Sequence, residues 1–290
     1  MISVIIPTHG RPDLLEKTLQ SLINCKIPPT FGELVIVENG TRMGAEDLIL
    51  KLPDWLNARY MYVEVANKSN ALNKVLETIG DQLVFFTDDD AQFQPNLLSA
   101  YVEVAFKHGK GCFYGGPVKV IREEEPPNWL EPLLPYSARG YSLTNERMKT
   151  GYLGINWAAF ASDIKTLGGF DIRFGPGSST GATGQESDMQ ERMRKAGMKE
   201  IDVLDAVVWH EVPKDRCNEK WLTNRFFKYG ISRGVKADGL REIMIEFFNV
   251  IKYSVRWFIY FLLLNKFEKK KSKMEFITRL GYFSYILTKN

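Results

Sequence analysis

The feature that most constrains this chain is the apolar strand Gln82–Thr87 running straight into three adjacent carboxylates, Asp88-Asp89-Asp90. Adjacent charges cannot continue through a buried sheet, so the strand must end there and present the aspartates at its carboxyl edge. Before it, short β-rich apolar runs at Ser3–Pro7, Glu33–Val37 and Tyr60–Val65 alternate with helical patterns beginning at Pro12, at Asp47–Lys51 and at Asn70–Ile79. That alternation predicts an α/β fold with a mostly parallel central sheet covered by helices. Open sheets of this kind place ligands at the carboxyl ends of their strands, which is where Asp88, Asp89 and Asp90 fall.

Composition supports a folded chain: 290 residues with 44% apolar side chains suffice for a large core, in one big domain or two smaller ones. A net charge of +3 gives no argument for nucleic acid as partner. The charge is unevenly placed, however. Residues 1–212 carry 21 Lys and Arg against 28 Asp and Glu, a net of −7, and residues 213–290 carry 17 against 7, a net of +10. Cys25, Cys112 and Cys217 are an odd, widely spaced set, suited neither to a disulfide framework nor to a zinc clip, and a reducing compartment is expected. The opening Met1–Pro7 reads as a first strand and not as a signal peptide, so a cytoplasmic protein is expected.

Three clustered aspartates require a counter-charge, and their hard oxygens suit Mg²⁺ or Mn²⁺, which would also bring phosphates. The alternative is a solvated acidic turn before the helix that begins near Pro95. Residues Arg122 to Lys149, rich in glutamate and proline, read as an irregular surface excursion, and Gly175–Gly184 as a mobile loop. After that loop, Glu186 and Asp188 open a helix ended by Gly197; favourable charge at a helix N-terminus would explain them equally.

Five motifs stand in one order. They are Ser3–Arg11; Val35–Gly40; Lys68–Asn73 with Thr87–Asp90; Gly168–Asp171 with Gly184–Asp188; and Val207–Pro213 followed by Arg216, Trp221 and Arg225. Over roughly residues 1–235 this arrangement resembles glycosyltransferase family 2, with the GT-A nucleotide-sugar-binding fold, and in particular members that continue into a membrane-associated tail. The resemblance implies an inverting transfer from a nucleotide-sugar donor, UDP- or GDP-linked, to a saccharide or lipid-linked saccharide in surface polysaccharide or glycan biosynthesis, with Mn²⁺ or Mg²⁺ as cofactor. It implies Thr8, Arg11, Glu38, Lys68, Asn73, Asp88 and Asp89 as donor-binding residues and Asp90 and His210 as metal ligands. Its catalytic base falls on Glu186, where the family more often has aspartate, with Asp188 in reserve; Glu38 likewise stands where aspartate is usual. Two other readings stay open. A sugar nucleotidyltransferase would carry a glycine-rich basic signature that Thr8–Arg11 lacks, and a nucleotide-sugar-binding protein without catalysis is compatible with the Gln185-Glu186 departure.

The domain division expected is a GT-A domain over 1–235 and a basic, amphipathic helical tail over 236–290. In the tail, Glu242, Glu246, Asn249, Lys252 and Arg256 recur at helical spacing and form a narrow polar stripe. The rest of that helix is apolar, from Ile243 to Leu262, and Lys269-Lys270-Lys271 and Lys273 follow. A spanning helix needs about 20 largely uncharged residues. The interrupted pattern points instead to a helix in the plane of an anionic membrane surface, at the inner face of the cell membrane. Packing on the catalytic domain or in a homo-oligomer is the alternative.

Overall fold

A computed structural model describes residues 1–143 and 151–288. The chain forms two compact units: Met1–Ile121, Tyr136–Ile172 and Gly184–Glu211 in the first, and Arg122–Pro135, Arg173–Thr183 and the chain from Val212 in the second. The division thus falls near Val212 rather than residue 235, because the helix Glu219–Lys236 packs with the helices that follow it.

The first unit contains strands β1 (Ile2–Thr8), β2 (Phe31–Asn39), β3 (Ala58–Val63), β4 (Leu83–Phe86), β5 (Ala91–Phe93), β6 (Cys112–Gly115), most of β7 (Val118–Arg122), β8 (Trp157–Phe160), β9 (Lys199–Asp202) and most of β10 (Val208–Val212). Seven of them form one sheet in the order β3-β2-β1-β4-β8-β6-β9, and β5-β10-β7 form a small second sheet. The pairs β1/β2, β2/β3, β1/β4 and β6/β9 are parallel, and β8 is antiparallel to both β4 and β6. The mostly parallel α/β sheet expected from the alternating runs is therefore present. β1 is buried at every position, and Phe85 and Phe113 are fully buried in the same core. Phe86 stacks on Trp157 with centroids 4.8 Å apart, and Phe170 meets both rings edge-on, a packing that fixes the sheet beneath the aspartates. All three cysteines are buried and free.

The Arg122–Lys149 excursion contains two short helical turns, Glu131–Leu133 and Tyr136–Arg139; its residues 144–149 lie outside the described residues. The glycine-rich stretch is a closed turn in the second unit. Gly175 N–H donates to the Ala182 carbonyl at 3.0 Å, and Thr183 N–H donates to Ser232 Oγ at 2.8 Å.

Also in the second unit, helices Glu219–Lys236 and Lys266–Thr288 cross at backbone contact through glycines. A β-carbon at Gly230 would lie 1.8 Å from the Thr278 carbonyl oxygen, and one at Gly281 would lie 2.0 Å from that of Phe227. Helix Leu240–Leu262 buries one residue of its polar stripe, Glu246, against Arg233 and Arg279, while Glu242 and Lys252 stay exposed; Arg279 also pairs with Glu275 and lies over the Tyr253 ring. Its outer face exposes Phe247, Phe248, Ile251, Val255, Phe258 and Leu262. No helix among the described residues is long and apolar enough to cross a membrane.

Gly230→Ala tests the glycine crossing. Alanine returns about 1 kcal/mol of helix propensity. The clash is with main-chain oxygen, which no rotamer relieves, and overpacking of this kind costs about 1–3 kcal/mol or more. Net destabilisation in chemical denaturation followed by helical circular dichroism is the expected outcome.

Candidate active site

The site is assembled at the carboxyl ends of β1, β2 and β4. Thr8 ends β1, and its hydroxyl donates to Asp89 Oδ2 at 2.7 Å. Arg11, just beyond, donates from one terminal nitrogen to Asp89 Oδ1 and from the other to Asp90 Oδ2 at 2.9 Å. Asp89 is fully buried. Burial pushes its carboxyl up to about 6, with Asp90 and Asp88 adding to the rise and Arg11 and Thr8 opposing it. Burial also disfavours charge on Arg11, but Asp89, Asp90 and Asp88 together raise its pKa. Asp89 therefore orients Arg11 and offers no open oxygen to a donor.

Lys68 is placed by its helix, Lys68–Thr78. Asn67 caps that helix by accepting from Asn70 N–H at 2.8 Å, and its amide donates to the Ile172 carbonyl at 2.9 Å. The Lys68 ammonium pairs with Asp88. Desolvation would lower its pKa, yet Asp88, with Glu186 and Asp90 adding, raises it. Lys68 is thus paired with Asp88, and Glu186, from a distant part of the sequence, adds to the negative field around it.

Glu186 occupies the first turn of helix Gln185–Lys195, whose N-cap Gly184 adopts φ +84°, a left-handed conformation that favours glycine. Its carboxylate lies against Gly154, and among the described residues no hydrogen-bond donor engages it. Asp188, one turn position on, receives Arg192 Nε at 2.9 Å, and Arg192 also donates to the carbonyls of Leu167 and Gly169. Asp188 is thereby committed to holding the Gly168-Gly169 turn.

His210, on β10, lies opposite Ala91 in the small sheet. Its Nδ1 is 2.5 Å from the Ser137 carbonyl oxygen, which only accepts, so Nδ1 carries the proton. In the neutral ring Nε2 is then a lone-pair donor, 3.4 Å from Asp90 Oδ1. A nitrogen and a carboxylate oxygen side by side form a donor set suited to a divalent cation. Two protein donors also leave room for phosphate oxygens and water, the usual completion of Mg²⁺ and Mn²⁺ shells. No group of three or more His, Cys, Asp or Glu arranged for a metal occurs among the described residues. With His210 neutral, the carboxylates of Asp88, Asp89, Asp90 and Glu186 exceed the cations Arg11 and Lys68 by two charges.

The remaining expected residues are engaged elsewhere. Glu38 is buried, accepting from Met43 N–H and from Tyr60 O–H, each at 2.7 Å. Asn73 uses both ends of its amide on the Phe170 backbone, each bond 2.8 Å long. Both bonds hold the Gly169-Phe170 turn. Several partners had no sequence signal as site residues: Tyr60, Ser137, Gly154 and Gln190. Their polar or small side chains acquire meaning through neighbours distant in the chain.

A mainly parallel α/β sheet carrying Asp88, Asp89, Asp90 and Glu186 with Arg11 and Lys68 at its carboxyl edge agrees with the class of glycosyltransferases, and the family match identifies it. The family model described as Glycosyl transferase family 2 matches residues 3–162, and the chain belongs to that family. Succinoglycan biosynthesis protein ExoM of Rhizobium meliloti (strain 1021) is 29% identical over 253 residues, 83% of this chain and 78% of the relative. Validoxylamine A glucosyltransferase of Streptomyces hygroscopicus subsp. limoneus is 25% identical over 246 residues, and the match spans 53% of that longer protein. In fold, the chain is similar to mannosyltransferase PcManGT from Pyrobaculum calidifontis in complex with GDP-Man and Mn²⁺, with TM-score 0.65 and 17% identity over 100% of this chain and 88% of that one. S. aureus TarS 1-349 in complex with UDP-GlcNAc aligns at TM-score 0.55 and 15% identity over 99% and 91%.

Asn73→Ala separates a structural role from donor binding. Losing two partly buried hydrogen bonds should cost about 1–2 kcal/mol in denaturant unfolding, while calorimetric affinity for UDP or GDP stays within about threefold. A selective loss of nucleotide affinity at unchanged stability would return Asn73 to the donor.

Proposed function

We propose that the chain transfers a sugar from a UDP- or GDP-linked donor to a hydroxyl of a saccharide or lipid-linked saccharide, with inversion, during assembly of a surface polysaccharide. The observation that carries this reading is the Asp88–Lys68 pair beside the Asp90/His210 donor pair, with Glu186 in the first turn of helix Gln185–Lys195. The polysaccharide assignment is supported by the likeness to ExoM, and a divalent cation by the Mn²⁺ in the Pyrobaculum structure. Asp90 and His210 would hold that cation. When bound, it supplies Lewis-acid neutralisation of the diphosphate leaving group. Asp88 binds on the donor side, and Arg11 and Lys68 place positive charge beside it. Glu186 accepts the acceptor's hydroxyl proton as its oxygen bonds to the anomeric carbon, and the bond to the diphosphate breaks with its electrons leaving on the phosphate oxygen.

Two variants test the roles. Glu186→Gln should lower turnover by about two orders of magnitude or more with nucleotide affinity retained, and Asp90→Ala should abolish the Mn²⁺ dependence of nucleotide binding in calorimetry. An active Glu186→Gln beside an inactive Asp188→Asn would reverse the assignment of the base.

For the second unit the proposed partner is an anionic lipid surface at the inner face of the cell membrane. The support is the helix Leu240–Leu262, with Glu246 buried and Phe247, Phe248 and Phe258 each more than half exposed. The helix ends in the exposed Leu262-Leu263-Leu264, after which Lys266, Lys269 and Lys271 supply charge for anionic headgroups. The full chain should sediment with phosphatidylglycerol vesicles more than with phosphatidylcholine ones. Salt should weaken that binding, because exposed charges are screened over about 8–10 Å. Phe248→Glu with Phe258→Glu should reduce it at least fivefold. A dimer indifferent to lipid and dissociated by the same substitutions would overturn the membrane assignment in favour of a second copy.

A further inference from the structure

Glutamate at the base position carries its carboxylate more than an ångström beyond the reach of the aspartate usual in the family, a displacement large enough to matter for proton transfer. We infer that Gly154 is the residue that accommodates this extra length, and that it positions Glu186 for catalysis. The inference rests on the reading of Glu186 as the base.

The Glu186 side chain lies directly across the bare backbone of Gly154. A β-carbon at residue 154 would fall 3.1 Å from Glu186 Cδ, 3.2 Å from Cγ and 3.3 Å from Oε2, closer than side-chain packing ordinarily allows. Gly154 does not have positive φ, so its backbone conformation does not require glycine. What it provides is space.

The loop carrying Gly154 is fixed on both sides. Before it, Tyr152 N–H donates to Gln190 Oε1 at 2.7 Å, Gln190 Nε2 donates back to the Tyr152 carbonyl at 3.1 Å, and Tyr152 O–H donates to Asp202 at 2.7 Å. After it, the Asn156 amide donates to the carbonyls of Pro117 and Ala206 at 2.9 and 2.8 Å and accepts from Tyr101 O–H at 2.8 Å. Gln190 belongs to the same helix as Glu186 and is fully buried, so loop and helix are joined one turn beyond the carboxylate. Neither backbone can retreat. An added methyl at 154 must therefore be absorbed by Glu186, whose carboxylate would move by a few tenths of an ångström.

The test is a double-mutant cycle on the full chain with kcat, donor KM and calorimetric nucleotide affinity as readouts. Gly154→Ala should lower kcat about tenfold, leaving nucleotide affinity and donor KM within about twofold and melting temperature unchanged. Glu186→Asp withdraws the carboxylate from residue 154, so Gly154→Ala combined with Glu186→Asp should be no slower than Glu186→Asp alone. Wild-type kcat in Gly154→Ala, or losses that multiply in the double variant, would overturn the inference and leave Glu186 as base. An active Glu186→Gln would overturn both.

Discussion

The guanidinium of Arg11 spans the ends of two neighbouring parallel strands, binding the buried carboxylates of Asp89 and Asp90 at once, while Thr8 supplies a second bond to Asp89. Without that cation, the turn after β4 would leave the buried Asp89 without its compensating charge, a destabilising arrangement. With it, Asp90 is held with one oxygen on Arg11 and the other beside His210. The geometry of the catalytic edge therefore begins with an internal ion pair made by residues that also look, by type, like ligand-binding groups. Asp89 and Arg11 form the frame on which Asp88 and Asp90 are displayed.

How much of this was legible in the sequence depended on whether meaning was local. Strands β1 to β4 are apolar enough, and their ends sharp enough, to be read from periodicity, and the aspartate run fixed the carboxyl edge. Strands β6, β8 and β9 are four residues each, and Lys199-Glu200-Ile201-Asp202 has no strand pattern of its own; pairing with β6 makes it a strand. Motif position located Glu186 and Lys68 together with Asn73 and Asp188, but not which way each side chain is spent. Asn73 holds Phe170, and Asp188 holds Arg192, through contacts that depend on tertiary packing.

The helix Leu240–Leu262 shows the same limit from the other side. Its period separates a charged stripe from an apolar face, and a globular protein would ordinarily turn the apolar face inward. Here one charge of the stripe, Glu246, is covered by Arg233 and Arg279 on the flanking helices, Glu242 and Lys252 stay exposed, and the aromatic face remains outside.

One consequence of strand polarity is easily overlooked. Because β8 runs against its neighbours, its entrance lies where the parallel strands have their exits: Trp157 is opposite Phe86, beside the turn that begins at Thr87. A sheet with only parallel strands would line its binding edge solely with segments that leave strands. This one also recruits a segment that arrives at a strand, and that incoming segment is the one that carries Gly154. The reversed strand gives this edge a wall that can vary in length and composition without altering the outgoing turns that carry Arg11 and the aspartates.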